Sequence, residues 1–328
     1  STVGLARGTV RPSGTVDLTR RCFNVRVGGG LGALQDLRRR TSAPFTRGAA
    51  TLDVTADGCW GTPASVVALS STATVGLTGV ALDAAGTSVR TGQVTWDVTL
   101  DMPKEGSPQV HGPVSVGLAG LVVAKQVIST AMIDGALDGA AIDFAAEVES
   151  GADLGAELNG RVDWGSLPQV LITGRDLTAS YRTLRLTTTQ QFVFRLVNGS
   201  IEASGLVAET EQKSRFILQG TIDPKGQANA VVRLLKFDLV QTDAFLPEDA
   251  RMSGELEDLT VKLAGSLAAP QLTLHTRLRD FATRGRGPVD LDLDLALGDE
   301  VFSGTAKLSE LAELNIAGLP VHFRMDGK

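Results

Sequence analysis

The chain has 328 residues and 34.3 kDa, room for one large domain, two medium ones or a repeat array, and with 43% hydrophobic and 21% charged residues it is not a disordered chain. Aromatic residues reach only 5%, with one Tyr and three Trp, which excludes the aromatic girdles of an outer-membrane β-barrel and leaves Leu, Val, Ala and Ile to form the apolar interior. A net charge of −6 and a pI near 5.2 speak against nucleic acid as the main partner.

Residues 1–50 depart from that acidic average. They hold nine Arg against Asp17 and Asp36, a local charge of +7, so the remainder carries −13. Arg38-Arg39-Arg40 is the densest part, a candidate patch for anionic headgroups or an acidic partner, with a solvated helix end as the plainer reading. Just before it, Gly28-Gly29-Gly30-Leu31-Gly32-Ala33 fits G-x-G-x-x-A, with Asp53 some way downstream. A dinucleotide fingerprint needs a βαβ unit, however, and the residues after the motif are hairpin-like, so this stretch is expected to be a flexible turn. Cys22 and Cys59 are the two cysteines. Such a pair fits one disulfide in an oxidising compartment or two buried thiols, and it lacks zinc-site spacing.

Further along, the longest uncharged stretch, Gly58–Leu82, carries seven Ser and Thr, which is wrong for a spanning helix; any membrane anchor is expected outside this chain. From residue 51 onward the dominant signal is period two. It runs through Thr51–Thr55, Val94–Leu100, Tyr181–Leu186, Leu259–Leu263, Gln271–His275 and most strictly Val289–Leu295. Each run puts one apolar face on a strand, the pattern of antiparallel sheets, and runs end at turn formers such as Asn198-Gly199 and Pro224-Lys225-Gly226. Asn198-Gly199-Ser200 also fits a glycosylation sequon, but Asn-Gly reads as a hairpin turn. Helical candidates are few: Leu31–Arg40, Trp164–Gln169, Thr242–Ala250 and Leu308–Leu314. A loose unit, Gly-x-apolar, recurs at Gly14, Gly135, Gly254 and Gly304. We expect one continuous all-β structure in two parts, 1–128 and 129–328.

Chemistry-bearing clusters are sparse. Asp290, Asp292 and Asp294 share one strand face, a solvated acidic row rather than a calcium loop, which would need a tight glycine turn. His111, His275 and His322 are the only histidines, and none has a ligand partner at metal spacing. Nucleophile-elbow and zinc-protease motifs are absent. The expectation is therefore no metal, no cofactor and no enzyme.

One stretch is familiar. Gly254-Glu255-Leu256, followed by Leu259-Thr260-Val261-Lys262-Leu263-Ala264-Gly265-Ser266-Leu267-Ala268-Ala269-Pro270-Gln271-Leu272, resembles the AsmA-like superfamily of Gram-negative envelope proteins, which includes TamB. The resemblance covers residues 222–280 most clearly. Gly14–Leu18 with the strand opened by Cys22 and the later Cys59 is similar to its YdbH-like branch. The resemblance implies an elongated, curled β-sheet, taco-shaped in section, with an apolar groove. It also implies carriage of phospholipid acyl chains between inner and outer membranes, in a periplasmic protein whose inner-membrane anchor lies outside this chain, with an inner- or outer-membrane protein as a possible partner. The apolar positions of the best alternating runs, Leu259, Val261, Leu263, Leu272, Leu274, Leu291, Leu293 and Leu295, are the candidate lining. Two rivals stand beside this reading: a closed sandwich with an ordinary core, and a structural or adhesive protein that binds a partner through a sheet edge or its basic N-terminal region.

Overall fold

Alternating segments pair with their chain neighbours throughout this computed structural model, which divides into two compact units, Ser1–Gly165 and Ser166–Lys328. The structure describes residues 3–5, 8–35, 45–61, 65–82, 87–105, 108–123, 126–151, 153–243, 245–266, 269–283, 286–298, 301–308 and 311–320.

The first unit is an antiparallel meander. Its strands are β1 (Val3–Leu5), β2 (Gly8–Asp17), β3 (Cys22–Leu31), β4 (Phe45–Trp60), β5 (Ser65–Leu82), β6 (Ser88–Pro103), β7 (Gln109–Val123), β8 (Gln126–Asp138), β9 (Ala141–Ser150) and β10 (Leu154–Asp163). Each pairs with the next.

The second unit begins with β11 (Gln169–Tyr181), β12 (Leu184–Thr188), β13 (Phe192–Val197) and β14 (Ser200–Thr210). β12 and β13 both lie between β11 and β14, as one interrupted strand. The meander continues through β15 (Arg215–Ile222), β16 (Gln227–Asp238), β17 (Met252–Ser266), β18 (Ala269–Thr283), β19 (Arg286–Gly298), β20 (Val301–Leu308) and β21 (Leu311–Pro320). The fold is all-β with antiparallel pairing, as the alternation predicts. Asn198 and Gly199 form the β13–β14 turn with φ of 49° and 80°, the left-handed pair that a two-residue hairpin requires.

Several expectations are corrected. The glycine run is not a turn: Gly28, Gly29 and Gly30 lie inside β3, hydrogen-bonded on both sides. Glycine is needed there for close approach, because a Cβ on Gly29 would stand 2.1 Å from the Thr9 carbonyl oxygen. Gly29→Ala is expected to push β2 away and to cost about 1–3 kcal/mol, read as faster amide exchange across Gly8–Asp17. Leu308–Leu314 is not helical either. Leu308 ends β20 and pairs with Leu311 at the start of β21, so the three-residue leucine spacing comes from a hairpin, not a helix. Thr242–Ala250 forms only short 3₁₀ turns, Leu239–Thr242 and Glu248–Ala250. Trp164–Gln169 is the turn between β10 and β11, and in Leu31–Arg40 residue 31 belongs to β3 while 36–40 fall outside the described residues. Residues 128 and 129 sit within β8, which pairs on both sides, and the two compact units are Ser1–Gly165 and Ser166–Lys328.

Burial among the described residues is shallow. The chain exposes 20168 Å², whereas two separate globules of half its mass would expose about 15,500 Å². Fully buried apolar side chains among the described residues are often small, such as Ala73, Ala141, Ala208, Ala228 and Ala306, and strands contact their sheet neighbours. A filled sandwich core would bury its leucines completely; here most apolar-face residues stay half-buried.

Candidate functional site: the apolar sheet faces

In the second unit the register collects the eight candidate lining residues on one face of β17, β18 and β19. Because directly paired residues point to the same side, they fall into cross-strand rows. One row runs Val232, Val261, Leu274, Leu295; the next runs Leu234, Leu259, Thr276, Leu293, Ala306. Outside them lie Ala230, Leu263, Leu272, Leu297 and Phe237, Leu256, Leu278, Leu291, Leu308. All eight candidates are half-buried. Four rows at two residues per step make an apolar stripe about 20 Å wide along the strands.

A bulge widens the stripe. Pairing in β17 slips between Leu256 and Asp258, so Leu256 and Leu259 both face the apolar side despite their odd spacing. The extra residue, Glu257, then reaches Arg279 at 3.2 Å and Arg277 at 3.8 Å on the other face.

That other face is a ladder of charge. Asp290, Asp292 and Asp294 on β19 meet Arg279, Arg277 and His275 on β18 at 2.7, 3.0 and 2.7 Å. The acidic row is thus held by a matching basic row; among the described residues no three His, Cys, Asp or Glu side chains converge as a metal site. The Asp280 N–H and then the Arg279 guanidinium hold the Asp290 carboxyl below the ordinary carboxylate range. A carboxylate with a lowered folded-state pKa adds stability that is complete above its unfolded value, about 3.9, and is lost as pH falls through the folded one. Asp290→Asn is therefore expected to lower the melting temperature at pH 7 and to converge with the wild type as pH drops below about 4. Thermal melts at pH 7 and pH 2.5 check this.

The first unit repeats the two-faced plan. Leu52, Val75, Val94, Val116, Ile133, Ala146 and Leu158 form one apolar row across β4 to β10. Val27, Val54, Ala73, Trp96, Val114, Gly135 and Phe144 form its neighbour, with the Trp96 Nε1–H donating to Ser71 Oγ at 3.2 Å. The nominated lining residues lie only on β17–β19. The same alternation in Thr51–Thr55 and Val94–Leu100 carried the signal for this second lining.

On its polar side Arg26 and Asp53 pair at 2.8 Å; that hydrogen bond lowers the Asp53 pKa and raises that of Arg26. A concavity of 880 Å³ there is lined by Thr51, Thr72, Thr95, Asp97, Ser115 and Asp134. A comparable one of 670 Å³ in the second unit is lined by Thr260, Lys262, Thr273, His275, Asp294 and Thr305. Both hollows open among hydroxyl and charged side chains on the polar face, and of the leucine and valine positions that the sequence nominates as a lining only Leu274 and Leu295 border one.

Cys22 and Cys59 sit opposite each other on β3 and β4, Cα atoms 4.0 Å apart, joined as a disulfide on the face that carries Asp53 and Asp57. The Trp60 N–H donates to the Arg21 carbonyl at 2.9 Å beside it, so the cysteines occupy a non-hydrogen-bonded pair, where side chains come closest. Arg38, Arg39 and Arg40 lie outside the described residues, as does His322; His111 pairs with Asp138 at 3.2 Å.

Fold and faces together define a class: antiparallel β-meander units whose strands carry an aliphatic face and an ion-paired, hydroxyl-rich one. Comparison with protein-family models, with characterised proteins and with solved structures finds no match to this chain.

Proposed function

We propose that the chain is a non-enzymatic lipid-transfer segment whose aliphatic sheet faces carry phospholipid acyl chains through the envelope of a Gram-negative cell. The observation that carries this reading is the half-buried state of the leucine rows: the eight nominated side chains of the second unit share one face of β17–β19 and none of them is completely buried. An acyl chain makes no hydrogen bonds, so a smooth aliphatic surface attracts it through buried area alone, about 25 cal/mol per Å². The sequence stretch 254–272, with its AsmA-like character, supports the same reading. A Cys22–Cys59 disulfide suits an oxidising compartment such as the periplasm. Native mass spectrometry of the purified chain tests it: phospholipid adducts at defined stoichiometry are expected, and lipid-free protein after gentle purification contradicts it.

A second reading, recognition of a protein partner, is favoured by the β2–β3 hairpin tip, where Leu18 is 77% and Val16 59% exposed beside Arg20. Capture of one defined protein, lost in Leu18→Ser while lipid is absent, would select it.

A further inference from the structure

One end of the apolar face in the second unit is already occupied by the chain itself. The connection from β16 to β17 spans residues 239–251 rather than making a tight turn. It starts with the 3₁₀ turn Leu239–Thr242, capped by Asp238 Oδ1, which accepts the Val240 N–H at 3.0 Å. Leu239 is buried and the turn packs against β17. Phe245 then stacks on Tyr181 at the far end of β11, ring centroids 5.2 Å apart and planes 10° from parallel. The Arg182 guanidinium stands 5.6 and 5.7 Å from the two ring centroids, closing a cation–π latch.

The sheet order makes this a long return. β15, β14 and β12 separate β16 from β11, four strand spacings or about 19 Å. Tyr181 belongs to the apolar face. It pairs with Leu184, and that face continues through Leu186 and Thr210 to Ala208, Phe216, Leu234 and Leu259. Residues at this end are buried, with Ala208 at 6%, Thr210 at 4% and, in the β14–β15 turn, Ser214 at 0% exposed. The closed arrangement also leaves polar atoms stranded. Gln241 Nε2 and Asp243 Oδ1 on the connection, and Ser214 Oγ between β14 and β15, are out of contact with solvent and have no hydrogen-bond partner. Opening would return such atoms to water, which disfavours the closed state.

We propose that residues 239–243 and 245–250 form a strap, latched by Phe245 on Tyr181 and Arg182, that covers the β11–β15 end of the apolar face and lifts when an apolar ligand takes that end. The inference rests on the acyl-chain reading of these faces. Ligand and strap compete for one surface, so apparent affinity falls with the fraction of molecules whose strap is open, and releasing the latch raises it.

The full chain, its Phe245→Ala variant and, as a gentler break of the latch, Tyr181→Leu are compared, with cis-parinaric acid as the fluorescent acyl probe. Amide exchange over residues 239–250 reports the strap without any ligand. Tyr181 is the only tyrosine, so its nitration rate reports the same in the wild type and Phe245→Ala. The strap predicts exchange about tenfold faster in both variants, with probe affinity about threefold or more above the wild type. Unchanged exchange in both variants refutes the latch. Faster exchange with affinity within about twofold of the wild type refutes the competition. If the wild type binds the probe, loses it in Leu293→Arg and is indifferent to both latch variants, the acyl-chain reading stands and the strap alone falls. If no form binds the probe, both fall.

Discussion

Leu293→Arg is expected to weaken binding of a long-chain fatty acid by about tenfold or more, the loss expected from withdrawing one leucine's worth of buried apolar area and adding a charge. Leu293 lies in one of the two inner rows, between Thr276 of β18 and Ala306 of β20, so an acyl chain lying along that row meets it. The side chain is half-buried, and a guanidinium there can extend to water, so the fold itself should be spared. Asp292→Ala is the matched control one residue away. It removes the 3.0 Å pair with Arg277 on the opposite face and should leave fatty-acid affinity within about twofold, a difference set by the face and not by the strand. Fluorescence titration of both variants, with circular dichroism to confirm folding, separates the two sides of one strand. Equal losses in both variants would mean that binding does not depend on the leucine face.

Removing the disulfide carries the second large effect. Cys22 and Cys59 close a loop with a sequence separation of 37 residues, and in the chain-entropy model the cross-link contributes about 3–4 kcal/mol. For a unit of this size that corresponds to roughly 8–15 °C in melting temperature. The double variant Cys22→Ser/Cys59→Ser should therefore lower the transition of the first unit in calorimetry more than that of the second, since the cross-link closes a loop wholly within Ser1–Gly165. The effect is large because few described side chains of the first unit are fully buried. A double variant melting within about 2 °C of the wild type would place the pair outside the stabilising framework.

Much of the fold was legible because alternation survives in a sheet with one apolar face. Val289–Leu295 and Leu259–Leu263 could be read as strands, and their apolar positions do share a face in the structure. The charge ladder was also within reach: His275, Arg277 and Arg279 alternate in the same phase as Asp290, Asp292 and Asp294, and antiparallel pairing aligns all three. Taken one run at a time the sequence exposes only the acidic half, because the basic partners lie on the neighbouring strand. Other features depend on contacts that spacing does not encode. Gly28–Gly30 looks like a loop, yet the close approach of the Thr9 carbonyl makes glycine a strand residue there. The bulge at Glu257 changes which residues face inward and is set by pairing across two strands, not by local pattern. The return of Phe245 to Tyr181 joins residues 64 positions apart in the chain across three intervening strands, and no local periodicity marks it.

The central claim is that an acyl chain lies on the leucine face. A photoreactive benzoylphenylalanine placed at position 293 and, separately, at position 294 tests it most directly, since the two neighbours point to opposite sides of β19. Irradiation of protein purified from membranes should give a phospholipid adduct from position 293 and little from 294. Adducts of equal yield at both positions, or none from 293, would contradict the account.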